Sequence, residues 1–252
     1  MTIFLKTMLA LSYVTMVAFN FLANALPLNA QTTGAVSAKY PTLFTPAGLT
    51  FSIWGLIYVM LGVYVVKMLW TPDVEFTRQL RVVASLFVFS ALLNIGWLFA
   101  WHYDRIALST IVIAALLCVT IAMMVAVKGQ PFIVRAPFSL YAGWLSVALI
   151  ANVSIWLVSS GVSSYAPLSV ALTIAVLLTG VVIAGCVAWF WGDIVFVIVF
   201  IWAYGGILLR HLEQSDLPQR FNAVIGVSVA SLFILLAMVI FTLIRQGGKV
   251  FP

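Results

Sequence analysis

Apolar residues run along this chain in blocks of about twenty, each closed by a short cluster of turn-forming or charged residues. The blocks cover roughly 3–26, 48–70, 82–101, 106–127, 137–159, 167–190, 194–210 and 221–244. A helix rises 1.5 Å per residue, so about twenty apolar residues cross the roughly 30 Å hydrocarbon layer of a bilayer. The pattern predicts an all-α fold, a polytopic membrane helical bundle with about eight transmembrane helices. The separators are PLNAQTTGAVSAKYPTLFTPAG, TPDVEFTRQLR, HYDR, KGQPFIVRAP, SSGVSSYAP, WGD and HLEQSDLPQR. The break at 190–194 is the thinnest, because only Gly192 and Asp193 interrupt it, and seven or nine spans remain open. The first block ends in Ala23-Asn24-Ala25, a pattern resembling a signal-peptide cleavage site. It is apolar from Ile3 to Leu26, longer than the roughly 7–15 residues of a signal core, and is read as a span.

Composition supports lipid as the solvent. The chain has 252 residues, of which 65% are hydrophobic and 7% charged, and its mean hydropathy is +1.21. A soluble domain carries about a quarter charged residues. The net charge of +6 therefore reports orientation and carries no expectation of nucleic-acid binding. With the N-terminus cytoplasmic, Lys6, Lys67, Arg78, Arg81, Lys128, Arg135, Arg245 and Lys249 fall inside, and Lys39, Arg105, Arg210 and Arg220 outside. That bias predicts both termini cytoplasmic and the loop 27–47 on the outer side. The expected location is a bacterial cytoplasmic membrane, with the lipid bilayer as the first partner. Cys118 and Cys186 lie in apolar runs and read as packing residues, and two histidines without carboxylates or thiols at ligand spacing give no metal site.

The polar residues inside or at the ends of the spans are amides: Asn20, Asn24, Asn94, Asn152 and Asn222. No Asp, Glu, Lys or Arg lies deep in a span, which weighs against an ion-coupled transporter and leaves no general acid–base pair. No catalytic residue is assigned and the chain is not expected to be an enzyme. The amides keep aromatic company. Phe51, Trp54 and Tyr58 share one face of the second span; Asn94, Trp97 and Trp101 share one of the third; Tyr141, Trp144, Ala148 and Asn152 form a stripe on the fifth. If these faces converge they enclose a slot with stacking walls and hydrogen-bonding points, suited to a large, flat, mostly apolar ligand. The plainer account makes the amides interhelical glue and the indoles packing or interface residues. Trp70, Trp101, Trp189 and Trp191, at span ends, fit it well; Trp54, Trp97, Trp144 and Trp202 lie deeper and fit it less well.

At these residues the chain resembles the TspO/MBR family, the translocator proteins (peripheral benzodiazepine receptors), also called tryptophan-rich sensory proteins. The second span, FTPAGLTFSIWGLIYVMLG, has Pro46, Phe51, Trp54 and Tyr58 where the family has a Pro…Phe-x-x-x-Trp-x-x-x-Tyr-like segment. The third, LLNIGWLFAWHYDRIAL, resembles its Leu-Asn-x-x-Trp-x-x-x-Phe pattern and tight turn, and the fifth, PFSLYAGWLSVALIANVSIW, its Pro-Tyr-x-x-Trp segment. The likeness covers about residues 1–157. It implies a five-helix membrane core, residues 1–160, followed by three additional transmembrane helices in 161–252. It also implies a ligand pocket near the first loop, formed by Trp54, Asn94, Trp97, Trp144 and Asn152. The ligand it implies is a tetrapyrrole such as protoporphyrin IX or haem, or a sterol-like molecule, bound in sensing or transport. The family's dimer face carries the expectation of a homodimer. Beyond such a ligand no cofactor is expected. A permease-like transporter of another solute and a structural partner in a membrane complex stand as competing readings.

Overall fold

The computed structural model of the protein describes residues 2–26, 28–214 and 216–252, so Pro27, at the head of the expected loop, and Ser215, in the last separator, lie outside the described residues. The described residues form α-helices and no strand. The helices are α1 (Thr2–Ala25), α2 (Thr33–Lys39), α3 (Ile53–Trp70), α4 (Arg78–His102), α5 (Ile106–Ala126), α6 (Phe132–Ser159), α7 (Pro167–Trp191), α8 (Ile194–Glu213) and α9 (Asn222–Arg245). Short 3-10 turns occupy Leu28–Ala30 and Gly48–Ser52. Among the described residues, eight helical segments are long and apolar enough to cross a membrane, one for each expected block.

Local chemistry explains where the helices stop. The two-residue break after α7 is real. Gly192 adopts φ +61 and donates its N–H to the Ala188 carbonyl, while the Asp193 carboxylate accepts the Phe196 N–H at 3.0 Å. A left-handed glycine stop followed at once by an aspartate cap ends one helix and begins the next. Helix α6 starts at Phe132 rather than at 137, because the Pro131 carbonyl accepts the N–H groups of Val134 and Arg135 at 2.9 and 3.2 Å. Pro137 then lies inside the helix near its start and removes a single backbone donor. Helix α2, inside the expected loop, is capped by Thr32, whose Oγ1 accepts the Ala35 N–H at 3.2 Å.

The chain packs as two compact units, one holding the residues up to Lys39 together with Trp54–Leu145, the other Tyr40–Ile53 and Ser146–Pro252. The division expected from the sequence lay after residue 160; packing divides the chain within α6. In the first unit α1, α2 and α5 each lie against α4. Tyr64 of α3 meets Phe138 of α6 at 4.8 Å and Phe87 of α4 at 5.9 Å. The turn after α1 is tied to the end of α4, where the side-chain amides of Asn29 and Gln31 both donate to the His102 carbonyl, at 3.0 and 2.9 Å, and the Trp101 indole donates to Thr33 O.

In the second unit α7, α8 and α9 pack pairwise, and the Tyr40–Ile53 segment lies along α8. The attachment runs through the backbone. Ala47 N–H donates to Gly206 O at 3.0 Å, the Trp202 indole to Thr50 O at 2.8 Å and His211 Nε2 to Leu43 O at 2.9 Å. Arg210 donates through Nη1 to Thr42 O and Thr45 O, at 2.6 and 2.9 Å, and through Nη2 to Asp216 at 2.7 Å. The Arg210 hydrogen bond holds the Asp216 carboxyl below the usual carboxylate range, so the pair outlasts ordinary acidification and is lost only as pH falls through that lowered value. Contact this close requires Gly206: a Cβ there would fall 1.9 Å from Thr50 Oγ1 and 2.8 Å from Thr50 Cβ. Gly206→Ala is therefore expected to lower stability by about 1–3 kcal/mol through overpacking, while Gly205→Ala, with nothing within 4 Å, leaves it unchanged. Thermal unfolding in detergent measures both; equal midpoints would rule out this attachment.

Candidate functional site

Two neighbouring turns of α6 place Tyr141 and Trp144 on its buried face, 1% and 2% exposed. Trp54, in the first turn of α3, packs edge-on against both, with centroids 6.2 Å from each and interplanar angles of 68° and 86°. One turn further on, Tyr58 stacks on Trp54 at 5.5 Å and 20°. These are ring-on-ring separations, favoured by the aromatic quadrupole over face-to-face stacking. The four rings form one cluster between α3 and α6 in the first unit. Trp54 and Tyr58 are half-buried and supply its accessible side; Tyr141 and Trp144 form its back wall.

A line of hydrogen bonds reaches the same cluster from the far side. Asn20 of α1 donates one amide hydrogen to Met16 O at 2.9 Å and the other to Asn94 Oδ1 at 2.6 Å. Asn94 of α4 donates through Nδ2 to the Tyr141 hydroxyl at 3.0 Å. The Tyr141 hydroxyl, having accepted, retains its own O–H to donate. Three helices are thus joined by side-chain amides at the level of the rings, and Asn94 is 1% exposed. Asn94 reaches the cluster through Tyr141 and has its oxygen and nitrogen both engaged inside the protein. Asn20 was visible in the sequence as one of the amides within the spans; its pairing with Asn94 was not, because spacing along one helix says nothing about the facing helix.

The other expected site residues lie elsewhere. Trp97 is buried and stacks on Trp101 at 5.5 Å and 24°, beside the indole that bonds Thr33. Phe51, 40% exposed, sits in the Gly48–Ser52 turn, and Asn152 is buried in the second half of α6; both belong to the second unit. The structure therefore brings Trp54, Tyr58, Asn94, Tyr141 and Trp144 into one connected set. No side chain of that set carries a charge, and among the described residues no group of His, Cys, Asp and Glu could hold a metal ion. The arrangement can stack a flat ring and offer it a hydroxyl donor.

Losing Asn94 would strand the Asn20 amide and the Tyr141 hydroxyl together. Asn94→Leu is expected to cost about 1–3 kcal/mol of stability through unpaired buried groups. Asn24→Leu, at an exposed residue whose amide bonds Asn20 O, should cost little. Unfolding midpoints in one detergent compare them; an Asn94 variant as stable as the Asn24 variant would contradict the bonded line.

Comparison with known proteins gives one finding. A family model described as TSPO-like protein matches residues 6–243, nearly the whole chain and well past residue 157, where the resemblance read from the sequence ends. No curated protein and no solved structure matches. Together with the eight apolar helices of spanning length, the match makes this an integral membrane protein.

Proposed function

We propose that this chain, which belongs to the TSPO-like protein family, is a membrane receptor or carrier for a hydrophobic planar ligand. Membership and the helical bundle support a role of the receptor or carrier kind. The identity of the ligand, a tetrapyrrole such as protoporphyrin IX or haem, or a sterol-like molecule, is our reading. The single observation that carries it is the cluster of Trp54, Tyr58, Tyr141 and Trp144, backed by the Asn94 bond to the Tyr141 hydroxyl. A flat ligand gains by stacking on the accessible faces of Trp54 and Tyr58. Tyr141 is the polar point it meets on parting the cluster. Asn94 acts behind Tyr141 by fixing that hydroxyl. The role is binding without chemical conversion, since the cluster holds no acid–base pair. A homodimer, and a bacterial cytoplasmic membrane as the location, belong to the same proposal.

Stacking on one indole contributes on the order of 1 kcal/mol beyond area burial, a several-fold change in affinity. Trp54→Ala or Trp144→Ala should therefore weaken protoporphyrin IX binding several-fold or more in a tryptophan-fluorescence titration. Trp70→Ala, at 83% exposure on a span end, should bind as the unmodified protein does. If the Trp54 and Trp144 variants bind with unchanged affinity, the planar-ligand reading falls. The Asn20–Asn94–Tyr141 line, bonded within the protein, favours one second reading, a structural part in a membrane complex, and that titration separates the two.

The basic-residue bias carries the proposed orientation, both termini cytoplasmic and the first loop outside. Ser37→Cys should label with a membrane-impermeant thiol reagent in intact cells, and Gly247→Cys should not. The opposite pattern would invert the topology.

A further inference from the structure

Where α7 and α9 end side by side, the second unit has a cleft of about 360 Å³ lined by Trp191, Gly192, Arg245, Gln246, Lys249 and Pro252, among others. It is far in sequence from the aromatic cluster and uses none of its residues. The charged side chains that line it are those of Arg245 and Lys249. The neighbouring acid, Asp193, is buried and engaged as the cap of α8.

The two cations are presented differently. Arg245 is fixed: its Nη2 donates to Ala188 O at 2.8 Å, and its guanidinium lies 5.3 Å from the Trp189 ring and 6.0 Å from the Phe241 ring. Those two rings stack on each other within 2° of parallel. A guanidinium tethered in this way keeps N–H groups that can donate to an oxyanion. Lys249 has no side-chain partner among the described residues and is exposed at the rim.

The third feature is an acceptor. The Gln246 amide is oriented by its Nε2 bond to Gly192 O at 2.9 Å, and its Oε1 is buried with no hydrogen-bond partner. Gly192 makes this possible, since a Cβ there would fall on Gln246 Nε2. A buried carbonyl oxygen without a donor costs free energy unless something supplies an O–H or N–H. A ligand that offers the cations an oxyanion and this oxygen a hydroxyl would satisfy all three groups.

We propose that this cleft binds a phosphate ester that carries a hydroxyl, with the phosphate on Arg245 and Lys249 and the hydroxyl donating to Gln246 Oε1. A glycerophospholipid headgroup and a soluble glycerol phosphate share this chemistry. The surroundings favour the lipid: Trp189 and Phe190, 59% and 70% exposed at the end of a membrane-spanning helix, offer acyl chains an apolar surface beside the cleft.

The test is calorimetric titration of the full chain in a mild detergent with dihexanoyl phosphatidylglycerol, dihexanoyl phosphatidylcholine and glycerol 3-phosphate. Phosphatidylglycerol should bind saturably and about ten-fold or more tighter than phosphatidylcholine, whose headgroup has no donor. Lys249→Gln, an exposed substitution that leaves the fold alone, should weaken phosphatidylglycerol about ten-fold. Gln246→Leu, which keeps the volume and removes the acceptor, should abolish the preference over phosphatidylcholine. Glycerol 3-phosphate binding as tightly as phosphatidylglycerol would make the soluble compound the ligand of the same site; weaker binding would make it the lipid. No saturable binding of any probe, equal binding of the two lipids, or unchanged affinity in Lys249→Gln would overturn the proposal.

Discussion

Hydrocarbon gives a hydrogen-bonding group no partner, and the arrangement of this protein follows from that constraint. Many hydroxyls on the spanning helices bond back to their own carbonyls: Ser90 to Phe87 O, Thr120 to Leu116 O, Thr173 to Ser169 O, Thr179 to Ala175 O. Other groups reach across to a neighbour. Tyr13 donates to Tyr58 O, Tyr204 to Leu177 O, and Trp202 to Thr50 O. The amides have more hydrogen-bonding capacity than one carbonyl can satisfy, so Asn20 and Asn94 find each other and then Tyr141. The same rule explains Arg210, whose buried guanidinium is surrounded by two carbonyls and a carboxylate at the end of α8.

The bonded line has a structural consequence. By fixing Tyr141 it fixes the back wall of the aromatic cluster, against which Trp54 packs and then Tyr58 stacks. The inner rings, Tyr141 and Trp144, are buried, and Trp54 and Tyr58 on the outer side are half-buried. The amides, read as glue from the sequence, lie directly behind the rings: they hold the wall that Tyr141 and Trp144 form.

Span positions were legible because bilayer thickness imposes one length on every span. The WGD break, thin as it looked, was enough, since a left-handed glycine and an aspartate cap need no more residues than those two. The apolar block is drawn from residue 137, whereas the Pro131 carbonyl begins helix α6 before it. Helix α2 was hidden by its length, although Thr32 before it is an ordinary cap signal. Of the site, helical spacing gave the stripe of Trp54 and Tyr58 and that of Tyr141 and Trp144. Spacing could not say which stripes meet. Trp97 went to Trp101, and Phe51 and Asn152 went to the other unit. The Arg245–Gln246 cleft was invisible because its walls come from chain ends of two helices far apart in sequence.

The central claim is that a planar ligand sits on the cluster of α3 and α6. Photo-crosslinking of a diazirine-bearing porphyrin to the full chain, with the attachment sites read by mass spectrometry, tests it most directly. The account predicts labels on the peptide carrying Trp54 and Tyr58, suppressed by excess protoporphyrin IX. Labels confined to outward residues such as Trp70 or Phe89, indifferent to that competitor, would contradict it.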